Sequence, residues 1–257
     1  MDNFRARLKN NDLLLGVVVS VASLEVSETL AECGFDWLFL DLEHSTLGIA
    51  AAQGILQAVA GRAACLARLP ANDPVWIKQA LDIGAQGVIL PQVNSAEEAR
   101  RAVQAAKYPP LGVRSAGLGR AHAYGARLQE ALERANDETI VIVQVEHIQA
   151  VENIAAILQV EGVDGVFVGP LDLSASLGLI GQVEHPQVQA AIGQALQACR
   201  ATGVPAGIFA GKAAAARRYI QQGFRLIAAG TDLTLLAGAA QALQSEIRRE
   251  KGADRSR

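Results

Sequence analysis

Aromatic side chains are scarce, making up 4% of the 257 residues. No basic stretch is interleaved with them, which argues against nucleic acid as a partner, because strand binding needs stacking platforms beside cations. Cysteine is as sparse: Cys33, Cys65 and Cys199 lie far apart and form no Cys-x-x-Cys pair. That spacing excludes a disulfide framework and a zinc knuckle, and the odd count suits a reducing, cytoplasmic setting. The three cysteines read as small core residues. No apolar run reaches the roughly 18–20 residues that span a bilayer, so no membrane partner is expected. The chain also lacks a P-loop, a G-x-G-x-x-G opening a helix and a G-x-S-x-G elbow, which removes the routes those motifs serve.

What is present is apolar material for a large core: 51% of residues, with 24 Gly and only 8 Pro. With few aromatics, that core must be built from Ala, Val, Leu and Ile. Charge is nearly balanced, 23 basic against 26 acidic residues, for a net charge of -3. Near the start, Arg5, Arg7 and Lys9 precede the apolar run Leu13 to Ala22. Asp12 abuts that run and a helix-like segment follows at once, so the run reads as a first strand and not as a leader.

Short β-rich runs alternate with segments of helical periodicity. The expected strands are 14–20, 36–41, 64–68, 87–91, 139–145, 165–168, 205–209 and 225–229. Most are continuous apolar runs, the pattern of parallel strands covered on both faces. Helices are expected over 24–33, 48–60, 74–82, 95–106, 125–136, 149–158, 187–202, 212–222 and 232–249. Ser95 before Glu97 and Glu98, and Asp73 before Pro74, are helix starts with a mechanism. Eight such units define an α/β chain, a (β/α)8 TIM barrel occupying 1–257 as one catalytic domain. The connection between the fourth and fifth strands is about 47 residues long, too long for a plain turn, and is expected to cover the site or an interface.

Three strand ends carry chemistry. The run Trp37-Leu38-Phe39-Leu40 ends in Asp41-Leu42-Glu43-His44, the fifth strand ends in Glu146-His147, and the sixth runs into Gly169-Pro170-Leu171-Asp172. In a barrel these ends share one face. Glu146 and Asp172 would suit a hard divalent cation with open positions; the alternative is a salt bridge for one and a helix cap for the other. Arg68, closing the third strand, is either a snorkelling rim residue or a carboxylate anchor. His44 beside Asp41 and Glu43 is placed for acid/base work, or is a satisfied structural histidine.

Taken together, these residues resemble the HpcH/HpaI family of metal-dependent pyruvate aldolases from about Phe4 to Ile247. The anchors are Gly34-Phe35-Asp36-Trp37, Asp41-Leu42-Glu43-His44, Asn72-Asp73-Pro74, Tyr108-Pro109-Pro110 with Gly112-Val113-Arg114, Gln144-Val145-Glu146, Val160 to Phe167, Gly169-Pro170 with Asp172-Leu173-Ser174, and Thr234-Leu235-Leu236. The resemblance implies that Glu146 and Asp172 hold a divalent ion, Mg2+, Mn2+ or Co2+. It implies that Arg68 holds pyruvate and stabilises its enolate, and that Gln144, Gly169, Pro170 and Leu171 border the substrate. His44 is then the catalytic histidine, with Asp41 and Asp82 orienting it or its water, Asp82 across a subunit boundary. The implied assembly is a homohexamer, a trimer of dimers, whose last helix swaps into a partner.

The implied reaction is reversible cleavage of 4-hydroxy-2-oxo acids to pyruvate and an aldehyde. Oxaloacetate decarboxylation and acyl-CoA lyase chemistry use the same enolate, and a barrel that binds a 2-oxo acid without turning it over is the non-enzymatic alternative. Leu42, Leu171 and Phe209-Ala210-Gly211 depart from the closest pattern, which bears on acceptor size and stereochemistry and not on the reaction class.

Overall fold

The computed structural model describes residues 4–253. Eight parallel strands close into a barrel in chain order: β1 (Leu14–Val19), β2 (Trp37–Asp41), β3 (Ala64–Arg68), β4 (Gly87–Leu90), β5 (Ile140–Val145), β6 (Gly165–Val168), β7 (Ala206–Ala210) and β8 (Leu226–Thr231). The helices are α1 (Phe4–Lys9), α2 (Leu24–Glu32), α3 (Ile49–Val59), α4 (Pro74–Asp82), α5 (Ala96–Ala106), α6 (Leu128–Glu138), α7 (Ile148–Glu152), α8 (Ile154–Ile157), α9 (Pro170–Ser176), α10 (Pro186–Thr202), α11 (Ala213–Gln222) and α12 (Asp232–Ala253). The expected (β/α)8 fold is the observed one.

Two cores explain why the strands read as unbroken apolar runs. Outward residues such as Val17, Leu38, Leu40, Val141 and Val143 pack against the helices. Inward residues Leu14, Val18, Trp37, Phe39, Leu66, Ile89, Ile142 and Phe167 fill the barrel, and Phe4 and Leu8 of α1 join that inner cluster. The few aromatics are concentrated there: Trp37, Phe39 and Phe167 sit with ring centroids 5.4 to 6.1 Å apart. Each such pair adds about 0.5–1.5 kcal/mol beyond area burial. Glycine makes the room for them. A Cβ on Gly16 would lie 2.4 Å from the Trp37 ring, and one on Gly207 would lie 2.7 Å from Phe167.

Several local expectations shift. The helix expected at 125–136 begins at Leu128 and ends at Glu138, preceded by a 3-10 segment Arg120–Gly125 in which Ala123 and Tyr124 take positive φ. The helix expected at 149–158 breaks at Asn153 into α7 and α8. Helix α9 starts directly after β6, with Pro170 at its first position, where the missing N–H costs nothing. Cys65 and Cys199 are buried as expected, but Cys33 is exposed, because it caps the solvent-facing end of α2. No helix among the described residues is long and apolar enough to cross a membrane.

Candidate active site

Parallel register brings the strand-end residues together. Asp41 pairs with Arg68 across β2 and β3, so both side chains project into the barrel mouth. Arg68 Nε donates to Asp41 Oδ1 at 3.0 Å and Nη2 donates to Oδ2 at 2.8 Å. This bidentate fork fixes the guanidinium plane. Its Cζ lies 5.1 Å from the Phe39 ring centroid, so the top aromatic of the inner core forms the floor beneath it.

Asp41 has a second task. Its Oδ1 accepts the backbone N–H groups of Glu43 and His44, each at 3.1 Å. The turn after β2 is thereby wound around a buried carboxylate. It aims Glu43 inward, where Oε2 lies 3.3 Å from Arg68 Nε and 3.7 Å from His44 Nε2. Burial pushes the Glu43 carboxyl up to about 6, against the pull of Arg68, and the Glu146 and Asp41 charges add to the rise. His44 itself is 63% exposed at the side chain and open to a bound molecule.

Across the mouth, Glu146 is buried just beyond the end of β5. Its Oε1 accepts the Gln92 N–H at 2.7 Å, and its Oε2 accepts from Gln144 Nε2. Gln92 delivers that N–H from a left-handed conformation, φ 53°, uncommon outside glycine. Gly169 closes the wall: a Cβ there would lie 3.2 Å from Glu146 Cβ and 3.5 Å from Gln144 Nε2. Pro170 is buried, Leu171 is exposed, and Asp172 is half-buried in the first turn of α9.

Asp41, Glu43, Glu146 and Asp172 lie at or just past the C-terminal ends of β2, β5 and β6, as Arg68 does at β3, so carboxylates outnumber it among these residues. Gln144 Oε1 is buried with no hydrogen-bond partner among the described residues. An all-oxygen donor set with excess negative charge fits a hard divalent cation. No cluster of three or more His, Cys, Asp or Glu side chains stands ready for a metal among the described residues, so water and substrate must complete any shell built on Glu146 and Asp172.

One candidate is not brought here within a chain. Asp82 ends α4 at the opposite, N-terminal face of the barrel, where it accepts from Arg114 Nη2 at 2.7 Å. The other histidines have structural duties: His147 and His185 cap α7 and α10, and buried His122 bonds the Tyr108 hydroxyl at 2.9 Å. Two contributors escape sequence reasoning. Gln92 carries no local signal, since its role depends on backbone conformation, and Glu43 is visible in the motif while its inward aim is not. Asp232 is a third hidden element: it accepts the N–H groups of Ser20 and Val21, each at 2.8 Å, and pins the β1 exit to β8.

A closed barrel with its ionisable cluster at the C-terminal strand ends has the layout of a (β/α)8 enzyme. The chain belongs to the HpcH/HpaI aldolase/citrate lyase family, whose model matches residues 15–239. A 4-hydroxy-2-oxo-heptane-1,7-dioate aldolase from Escherichia coli is 44% identical over 249 residues, which cover 96% of this chain and 95% of that one. Among solved structures, an HpcH/HpaI aldolase/citrate lyase family protein from Burkholderia cenocepacia J2315 superposes with a TM-score of 0.93 at 37% identity, over 96% of this chain and 100% of that chain. The HpcH/HpaI aldolase from Desulfitobacterium hafniense DCB-2 gives 0.87 at 32% identity, over 95% and 96%.

Proposed function

We propose that this protein is a metal-dependent aldolase, one catalytic domain over 1–257, that reversibly cleaves 4-hydroxy-2-oxo acids to pyruvate and an aldehyde. The observation that carries this reading is the Arg68 fork, locked by Asp41 and set in the same mouth as buried Glu146. Family membership and the likeness to the Escherichia coli aldolase support it.

In cleavage, the 4-hydroxyl loses its proton, the C3–C4 bond breaks, and its electron pair passes into the enolate of pyruvate. Protonation at C3 then gives the methyl group. Glu146 and Asp172 would hold the divalent ion, Mg2+, Mn2+ or Co2+. When bound, such an ion polarises the 2-oxo carbonyl and offsets the charge of the enolate. Arg68 binds the pyruvate half and donates to the enolate oxygen, where charge develops. Gln144 presents its unused Oε1 to the same region, and the backbone of Gly169, Pro170 and Leu171 borders the pyruvate carboxylate. His44 moves the 4-hydroxyl proton at Nε2, and Asp41 sets its position through the backbone N–H it accepts.

Asp82 is assigned to the His44 of an adjacent copy in a cytoplasmic homohexamer, a trimer of dimers. Every described side chain from 233 to 248 on α12 is exposed, including Leu236, Leu243 and Ile247, which supports a helix swapped onto a partner. The test is pyruvate formation from a 4-hydroxy-2-oxo acid by wild type and by Glu146→Gln. Turnover by wild type and its loss in the variant are expected. Turnover of oxaloacetate or an acyl-CoA in its place would replace the aldol assignment with decarboxylase or CoA-lyase chemistry.

A further inference from the structure

A cavity of about 800 Å³ lies at the other end of the barrel. Its lining includes Asp36, Ala63, Gln86 and Thr139, each of which immediately precedes a strand. The candidate active site lies where those strands end. Ala64 lines the cavity and Arg68 lines the mouth, four residues apart along β3, which is about 13 Å at the usual strand rise. Within one chain the two spaces are therefore separate.

Six arginines line this cavity against three carboxylates, in a chain of net charge -3. Five of the six are held by carboxylates: Arg5 by Asp164, Arg7 by Asp36, Arg62 by Glu28 and Glu32, Arg114 by Asp82, and Arg134 by Glu130 and Glu138. Arg114, His122 and Arg127 keep donor capacity. Arg114 is buried, with its Cζ 4.6 Å over the Tyr108 ring and one Nη2 bond to Asp82, and its Nε has no partner among the described residues. His122 is 2% exposed; its Nε2 meets the Tyr108 hydroxyl and its Nδ1 has no such partner. In the tautomer whose Nε2 accepts from the Tyr108 hydroxyl, Nδ1 is the ring's N–H donor. Arg127, exposed on the rim, has no side-chain bond or ion pair among the described residues.

A buried donor without a partner is costly, so native structures satisfy such atoms with a ligand or water. Two unpartnered buried donors beside a free guanidinium make a site for oxygen acceptors of negative charge. The covering helix leaves room for one: α6 has no buried residue, and its Ala131 and Ala135 line the cavity.

We propose that this N-terminal cavity binds a small oxyanion, a carboxylate or a phosphate, between Arg114, His122 and Arg127, independently of the active site. Calorimetric titration of the full-length protein with inorganic phosphate and, separately, with succinate tests it. Saturable binding of at least one probe is expected, and the probe that binds identifies the anion. The binding should survive Arg68→Ala, which removes the anion anchor of the active site. It should weaken roughly tenfold or more in Arg127→Glu, an exposed change that replaces attraction by repulsion without touching the core. His122→Phe should weaken it in the same direction. No saturable binding of either probe would overturn the proposal. So would binding that disappears with Arg68→Ala and is untouched by Arg127→Glu, since the anion would then occupy the strand-end mouth.

Discussion

Asp41 and Arg68 stand opposite one another in the β2–β3 register and are joined by two hydrogen bonds, at 3.0 and 2.8 Å. Asp41 also accepts the Glu43 and His44 backbone N–H groups. One carboxylate therefore sets both the cation and the turn that bears the histidine, and the two arrive in the mouth as a rigid pair.

Arg68→Ala should lower kcat/KM for aldol cleavage by about 100- to 1000-fold, the usual cost of losing a preorganised donor to developing negative charge. Arg68→Lys should recover little, because an ammonium cannot make the planar two-bond contact with Asp41. Circular dichroism should report an intact barrel in both. Near-normal cleavage in either folded variant would remove Arg68 from the proposed role.

Gly16→Ala tests the inner core. The added methyl meets the Trp37 ring at 2.4 Å, and Trp37 is fully buried between β1 and the inner cluster. Overpacking of this kind costs about 1–3 kcal/mol, readable as a lower urea midpoint with an unchanged slope. An unchanged midpoint would show that Trp37 has room to move.

The eight strands are legible in the sequence because both their faces are buried, one in the barrel and one under helices. Val141 and Val143 face the helices while Ile140 and Ile142 face inward, so the fifth strand reads as one apolar run. The carboxylates, arginine and histidine of the mouth are legible for the same reason: they interrupt such runs at their ends. What stays hidden depends on distant contacts. Helix α1 is six residues with three basic side chains, stabilised by Phe4 and Leu8 plugging the barrel floor. The break at Asn153 accompanies a side-chain bond to Asn94 O at 2.8 Å, 59 residues away. The left-handed conformation of Gln92 and the inward aim of Glu43 are set by hydrogen bonds to Glu146 and Asp41, contacts that no local pattern reveals.

The buried thiols give stability a pH dependence of definite sign. Burial pushes Cys65 and Cys199 up to about 12 from the ordinary thiol value of 9.0. From pH 9 to about 12 the unfolded chain releases protons that the folded chain retains. Their contribution is thus full below pH 9 and falls as pH rises through that window. Replacing both by Ala removes it. The wild-type advantage in urea midpoint over Cys65→Ala/Cys199→Ala should shrink between about pH 8 and pH 10. A constant advantage over that range would show that the thiols ionise normally when folded.

That strand-end carboxylates and Arg68 form a metal-dependent pyruvate aldolase site is tested most directly by measuring pyruvate release from a 4-hydroxy-2-oxo acid with EDTA-stripped protein, with and without added Mg2+, Mn2+ or Co2+. The expected result is negligible release without metal and full restoration by at least one of the three ions, with Glu146→Gln unresponsive to all. A folded protein that releases pyruvate equally well without metal, or releases none with any of the three, would contradict it.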